Sequence, residues 1–272
     1  MNDYFFTERG LFYRTNSFTR AKKTILFVHG VSGSSSAWLT YEAKFKDHYN
    51  IISFDLRGHG KSQKPTDPAS YAIPLFADDI KALLDYLHIK QCILISHSFG
   101  SVIALAFLEQ NQKMIEGVIL LSPQYSVNAM PAAKLIKPFV SALVRLLPHP
   151  KSHKPASHID YSRFSMTGDW NIPRTIADVR NTGFRTYLYC VRQTYNFDGA
   201  EFLNKINVPV LIIHGRNDSI FPVQYAETMH ETISHSDMVI IDSTDHILVL
   251  NNFSEVSRLI EGFVEKIARG AQ

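Results

Sequence analysis

The sequence contains no run of roughly 18 consecutive apolar residues, so no segment reads as a membrane-spanning helix. Cysteine is scarce. Cys92 and Cys190 are too few for a disulfide framework, and Cys92, inside the apolar run QCILIS, reads as a buried reduced thiol. Neither has the neighbours of a catalytic cysteine. The opening MNDYFFTERG carries Asp3 and Glu8 and no basic stretch leading into an apolar one, so a secretory signal is not read there and a cytoplasmic location is expected. Charged residues are only 19% of the chain and the formal net charge is +3; with no nucleic-acid-binding module in view, no nucleic-acid partner is expected. Low-complexity segments and internal repeats are also missing. With 272 residues, 45% of them hydrophobic, the chain has the profile of a globular protein with a sizeable core. Nothing in the sequence indicates an oligomeric state.

The charge that is present falls unevenly. Residues 124–199 hold ten Lys or Arg against four Asp, a net +6, while the remainder carries −3. A solvated basic face accounts for this; attraction for anionic ligands or a membrane surface is the functional alternative.

Two short β-type runs, residues 4–8 and 11–15, flank Arg9-Gly10 and predict an opening hairpin. Near-continuous apolar runs follow at 24–29, 49–55, 91–97, 117–122, 208–214 and 237–242, as expected of strands buried on both faces of a parallel sheet. Between them, Phe76, Ile80, Leu83, Leu84 and Leu87 repeat at the helical period after Pro74. Val256, Leu259, Ile260, Phe263, Val264 and Ile267 do so after a candidate N-cap at Ser254. Residues 101–108 are apolar almost all round and predict a centrally buried helix. This alternation gives an α/β fold with a doubly wound, mostly parallel sheet. After Gln124 it is interrupted by some 75 residues rich in Pro, His and Arg, far longer than an ordinary crossover. The expected organisation is therefore a core in two parts, 1–123 and 200–272, with a helical cap inserted at 124–199.

The chemistry centres on Ser96-His97-Ser98-Phe99-Gly100, where a buried strand runs straight into an apolar helix with Ser98 at the junction. A nucleophile elbow needs so sharp a turn that small residues must stand two positions before and after the serine. The usual G-x-S-x-G has become S-x-S-x-G, and Ser96 is the departure. Taken alone, Ser98 also reads as a plain helix N-cap. Three further stretches favour catalysis. His29-Gly30-Val31-Ser32-Gly33-Ser34 supplies a loop whose Val31 N–H, with the N–H of Phe99, is a candidate oxyanion hole. His214-Gly215-Arg216-Asn217-Asp218 puts an acid after a parallel strand, and Thr244-Asp245-His246 puts a base after the last one. Ser98, Asp218 and His246 thus form a candidate triad in the order serine, acid, histidine.

Competing residues fit less well. Asp245 adjoins His246 and would struggle to reach its Nδ1, and Asp242 reads as a strand terminus. His29 and His59 read as structural hydrogen-bonding groups near the site, and His97 as packing beneath the serine. His149, His153 and His158 suggest a metal, but no carboxylate or cysteine joins them at ligand spacing, so neither metal nor cofactor is expected. Gly60-Lys61-Ser62 ends like a phosphate-binding loop, yet Asp55 stands where that motif needs glycine.

Phe54-Asp55-Leu56-Arg57-Gly58-His59-Gly60-Lys61-Ser62, with His29-Gly30 upstream and the Ser98, Asp218 and His246 motifs downstream, resembles the cap-bearing α/β-hydrolase fold-1 superfamily across nearly the whole chain. The resemblance implies that Asp55 and Arg57 hold loops together without reacting, and that the cap decides the substrate. It also implies that a serine at the elbow disfavours haloalkane dehalogenase and epoxide hydrolase chemistry, in which that residue is aspartate. Carbon–carbon bond hydrolases are similar too, but their H-G-x-G-P-G loop is absent here. The expected function is hydrolysis of small to medium apolar carboxylic esters through an acyl-enzyme. A small-molecule receptor on the same fold, and a carbon–carbon bond hydrolase, are the alternatives. In the cap, residues 131–147 predict a helix, kinked or restarted at Pro138. Lys134, Lys137, Ser141 and Arg145 share a narrow arc, leaving a broad apolar face that must be buried, with Phe139 and Leu143 as candidate substrate contacts. Packing on the core competes equally with lining the pocket.

Overall fold

The computed structural model describes residues 1–127, 131–146, 155–164 and 166–270. Eight strands form one sheet: β1 (Asn2–Phe6), β2 (Leu11–Thr15), β3 (Thr24–Val28), β4 (Asn50–Phe54), β5 (Cys92–His97), β6 (Ile115–Leu121), β7 (Val210–Gly215) and β8 (Ser236–Ile241). The hairpin β1–β2 pairs antiparallel and joins β4 antiparallel; the other six strands are parallel. Across the sheet the order is β1-β2-β4-β3-β5-β6-β7-β8. Each of the six apolar runs of the sequence is a parallel strand, and β1 begins two residues before the predicted run.

The strands are apolar at consecutive positions because both faces are covered. Leu26, Ile52, Leu94, Val118 and Ile212 point into one core; their chain neighbours Ile25, Ile51, Ile93, Ile119 and Leu211 point into the other. Side chains alternate across a strand, so two buried faces need an unbroken run. The first core is closed by α2 (Ile73–Tyr86), α3 (Phe99–Asn111) and α8 (Gln224–Thr232), the second by α1 (Leu39–Phe45) and α10 (Phe253–Gly270). Pro74 lies in the first turn of α2, where its missing N–H costs no hydrogen bond. The α10 helix starts at Phe253, so Ser254 is inside its first turn and is not the cap.

Between β6 and β7 the described residues contain α4 (Pro131–Leu146), α5 (Ile172–Thr182) and α6 (Phe184–Asn196), followed by the short α7 (Ala200–Leu203). Pro138 stands inside α4. The expected broad buried face is only partly realised. Val140 and Val144 are buried, whereas Leu135, Phe139 and Leu146 are largely exposed. Among the described residues α4 packs chiefly against α6, and the stripe through Val140 and Val144 is the part that is covered. Leu135, Phe139 and Leu146 lie roughly 120–160° around the axis from the middle of that stripe at roughly 100° per residue, beyond its reach. Leu147, His149 and His153 lie outside the described residues. Cys92 and Cys190 are both buried and free, and burial raises both thiols well above their usual range. Among the described residues no helix is long and apolar enough to cross a membrane.

Candidate functional site

The turn from β5 into α3 holds Ser98 at φ 54°, ψ −116°, a conformation that costs a non-glycine residue about 1–3 kcal/mol. Its surroundings over-determine it. Ser98 N–H donates to the Leu121 carbonyl at 3.0 Å, and the Ser98 carbonyl accepts from Ser101 N–H at 2.8 Å. Gly100 lets the helix close on the sheet: a Cβ there would sit 2.7 Å from the Val28 oxygen and 2.8 Å from the His29 oxygen. The unusual Ser96 fits because its hydroxyl is buried 3.3 Å from that of Ser101. Ser98 occupies the N-cap position of α3, but its side chain makes no capping bond. The hydroxyl turns instead to the loop after β8, where His246 Nε2 stands 2.8 Å from Oγ.

On the far side of the ring, His246 Nδ1 is 2.7 Å from Asp218 Oδ2, from the loop after β7. Because a carboxylate only accepts, Nδ1 carries the proton and Nε2 is left to accept from the Ser98 hydroxyl. The other oxygen, Asp218 Oδ1, accepts from the N–H groups of Ile220 at 2.9 Å and Phe221 at 2.8 Å. Burial alone would raise the Asp218 carboxyl. The His246 hydrogen bond, the imidazole charge and the Phe221 N–H outweigh it and hold the group below its usual range. Ser98, Asp218 and His246 are all buried.

Three neighbours of this chain were only partly foreseen. His97, expected beneath the serine, reaches sideways and donates from Nε2 to the His246 carbonyl at 2.9 Å. Burial and the adjacent His246 push it down to about 3, so it is a neutral, fixed donor. His214 Nε2 donates to the Phe221 carbonyl at 3.0 Å and lies 3.3 Å from Asp218 Oδ2; burial depresses it too. Asp169, from the helical insertion, accepts from His246 N–H at 2.8 Å and from Ser219 N–H at 2.9 Å. No sequence signal marks Asp169, because its partners lie 50 and 77 residues away.

The competing acids are engaged elsewhere. Asp245 Oδ1 accepts from Ile247 N–H at 2.9 Å and lies 3.3 Å from Asn251 Nδ2, while Asp242 pairs with Arg216. His29 accepts from Leu56 N–H at Nε2 and donates from Nδ1 to the Gly30 carbonyl, and burial lowers it to about 4. Asp55 takes the N–H groups of Ser35 and Lys61, each at 2.7 Å, and Arg57 grips Asp79 with two bonds. Both therefore have the loop-holding contacts the resemblance implied. His158, from the suspected metal trio, pairs with Asp55 at 2.8 Å. Among the described residues no cluster of three metal-ligating side chains occurs.

A cavity of about 670 Å³ opens over Ser98, His246, Val31 and Phe99, and its other walls come from the sheet domain and from α4, α5 and α6. Neither the Val31 nor the Phe99 N–H bonds to an acceptor among the described residues. Phe139 and Leu143 do not line this cavity; Ile136 does. Phe139 is 70% exposed and Leu143 packs on the first core, so the proposed contacts shift to the stripe of α4 that turns inward. A polar cluster stands in the cavity wall, where Tyr161 O–H donates to Asp178 Oδ1 at 2.9 Å. Burial raises the Asp178 carboxyl to about 6.

Comparison with known proteins agrees with this architecture. The chain is 24% identical over 259 residues to the uncharacterized protein Rv2715 of Mycobacterium tuberculosis, covering 89% of this chain and 75% of that one. Its fold superposes on MGS-M2, an alpha/beta hydrolase enzyme from a Medee basin deep-sea metagenome library, with a TM-score of 0.77 at 20% identity over 97% of both chains. A thermophilic esterase from Thermogutta terrifontis gives a TM-score of 0.73 at 23% identity, covering 94% of this chain and 93% of that one. The family model described as alpha/beta hydrolase fold matches residues 23–253. The chain therefore belongs to the α/β-hydrolase fold family.

Proposed function

We propose that the protein is a serine hydrolase acting on carboxylic esters with an apolar acyl or alcohol part. The observation that carries this reading is the unbroken hydrogen-bond chain from Ser98 Oγ through His246 to Asp218, with bonds of 2.8 and 2.7 Å and the serine held strained at the floor of a cavity. A serine hydroxyl is a weak nucleophile unless a base takes its proton as it attacks. His246 Nε2 takes that proton while Oγ bonds to the ester carbon, and the carbonyl electrons move onto oxygen. Asp218, kept ionised, orients the ring and stabilises the imidazolium. The Val31 and Phe99 N–H groups receive the oxyanion, on the support that both border the cavity beside Ser98.

Collapse of this intermediate breaks the ester C–O bond, and the leaving alkoxide takes the proton from Nε2. Water then gives a proton to Nε2 and attacks the acyl-enzyme; Ser98 leaves with that proton, and a carboxylic acid is released. We assign residues 124–199 as the cap over this cavity, which supports a substrate chosen by the inward faces of α4, α5 and α6. Several contacts tie cap to core, among them His158 to Asp55 and Thr182 Oγ1 to the Ser32 carbonyl at 2.9 Å.

The test is a panel of p-nitrophenyl esters followed over many turnovers, with fluorophosphonate labelling. Ser98→Ala is expected to lose at least ~10³-fold of activity and all labelling. Activity within tenfold of the parent in a pure sample would sink the assignment, and ligand binding without turnover by the parent protein would favour a receptor.

A further inference from the structure

We propose that Asp169 is a positioning residue, through which the helical insertion holds the acid and base loops in catalytic register. The inference rests on the Ser98, His246 and Asp218 reading above. Its basis is that one carboxylate touches both loops, each within a residue of the triad. Asp169 Oδ1 accepts from the backbone N–H of His246 at 2.8 Å. Oδ2 accepts from the N–H of Ser219 at 2.9 Å and from its hydroxyl at 2.7 Å, and Ser219 follows Asp218 directly. The two oxygens are a fixed covalent distance apart, so the group acts as a strut across the opening that the Asp218–His246 bond must span.

The strut is itself anchored. Arg174, on α5 and almost wholly buried, donates to the Asp169 carbonyl at 2.7 Å and lies 3.3 Å from Thr167 Oγ1. Trp170 Nε1 donates to the Ser219 hydroxyl at 2.9 Å, which leaves that hydroxyl both donating and accepting within the insertion. Asn251, on α9 (Leu248–Asn251), donates to the Thr167 carbonyl at 2.9 Å and fastens the segment from the other side. His97 holds the carbonyl of His246 while Asp169 holds its N–H, so the peptide units on both sides of the histidine are fixed from different elements. Ordinary packing would keep the insertion in place without a carboxylate aimed at two catalytic loops. Asp169 also borders the cavity, so a displacement of the insertion carries directly into the geometry of the base.

Asp169→Asn tests this with little change of volume. Its amide nitrogen must face the N–H of either His246 or Ser219, donor against donor, which breaks one leg of the strut. Competent sites are counted by fluorophosphonate titration, and kcat and KM are measured per titrated site with p-nitrophenyl butanoate. The low-field proton resonance of the His246–Asp218 hydrogen bond is recorded alongside. The expected result is a kcat lower by ~10- to 100-fold, the scale of lost charge-assisted hydrogen bonds. KM should stay within about threefold, and the low-field resonance should shift or broaden. A kcat per site within twofold of the parent overturns the inference, as does a loss confined to KM or to the fraction of folded protein. If Asp169→Asn does not fold, Ser219→Ala, which removes one donor and keeps the N–H, is judged by the same criteria. Ser98→Ala run in parallel separates the causes. Activity retained there overturns the triad reading and this inference with it. Activity lost there, with parent-like kcat in Asp169→Asn, overturns this inference alone.

Discussion

A single methyl group at Gly100 tests how closely the elbow is built. An ideal Cβ at this position meets the Val28 oxygen at 2.7 Å, the His29 oxygen at 2.8 Å and the Val28 carbonyl carbon at 3.2 Å. All three are backbone atoms, so no side-chain rotation relieves the clash. A close carbon–oxygen contact is normally about 3.3 Å, so α3 must withdraw from the end of β3 by roughly 0.5 Å. Overpacking of this kind costs about 1–3 kcal/mol. The same withdrawal moves Phe99 N–H away from Val31 N–H, because the first rides on α3 and the second on the loop after β3. A misplacement of about 1 Å costs on the order of 10²-fold in rate, so half of that corresponds to about tenfold. Gly100→Ala should therefore unfold at lower urea concentration and hydrolyse p-nitrophenyl butanoate at least ~10-fold more slowly. Gly262→Ala is the control: it sits in α10 with nothing within 4 Å of its added Cβ, and should gain about 0.5–1 kcal/mol with unchanged activity. If Gly100→Ala matches the parent in both assays, the close approach of helix and strand is not what shapes the elbow.

Asp218→Asn should reduce kcat by ~10³- to 10⁴-fold in steady-state assays while Asp245→Asn costs less than about tenfold, since Asp245 already serves Ile247 and Asn251; the reverse ranking reassigns the acid. Esters from acetate to octanoate should gain up to ~0.8 kcal/mol, or roughly fourfold in kcat/KM, per added CH₂ until the cavity fills. Ile136→Asp should flatten that series and Phe139→Asp should leave it intact, because only the former borders the cavity; equal effects would contradict the orientation of α4. Asp178 titrates at about 6 in the folded protein, above its unfolded value, so folding binds a proton between about pH 4 and 6 and stability falls as pH rises through that window. Asp178→Asn removes this dependence, and urea unfolding should show it gaining about 1–3 kcal/mol relative to the parent between pH 4 and pH 7; a constant difference would refute the raised value.

The elements of the core were legible because their signal is local. Strands buried on both faces require unbroken apolar runs, as in β3 to β7, and the edge strand β8 carries a similar run though only partly buried. The helices α2 and α10 require one apolar stripe, so these elements stood out from their pattern alone. The three residues of the hydrogen-bond chain were legible for a related reason: Ser98 follows directly on β5, and Asp218 and His246 lie in the loops after β7 and β8, at the sheet edge where parallel strands end. The N-cap ambiguity at Ser98 was not decidable in sequence, since it depends on where a hydroxyl points, and only its bond to His246 decides it.

Sequence by itself determined the parallel α/β core, the elbow and the order of Ser98, Asp218 and His246. Tertiary structure alone decided which side of α4 turns inward, because its apolar residues spread around more of the helix than the packing covers. It alone selected Ile136 over Phe139 at the cavity. It also decided the contacts of Asp169 and His97, which join segments 77 and 149 residues apart. A hydrogen bond between distant segments leaves no periodic trace in either one, so the core can be read from its pattern while the struts between its loops cannot.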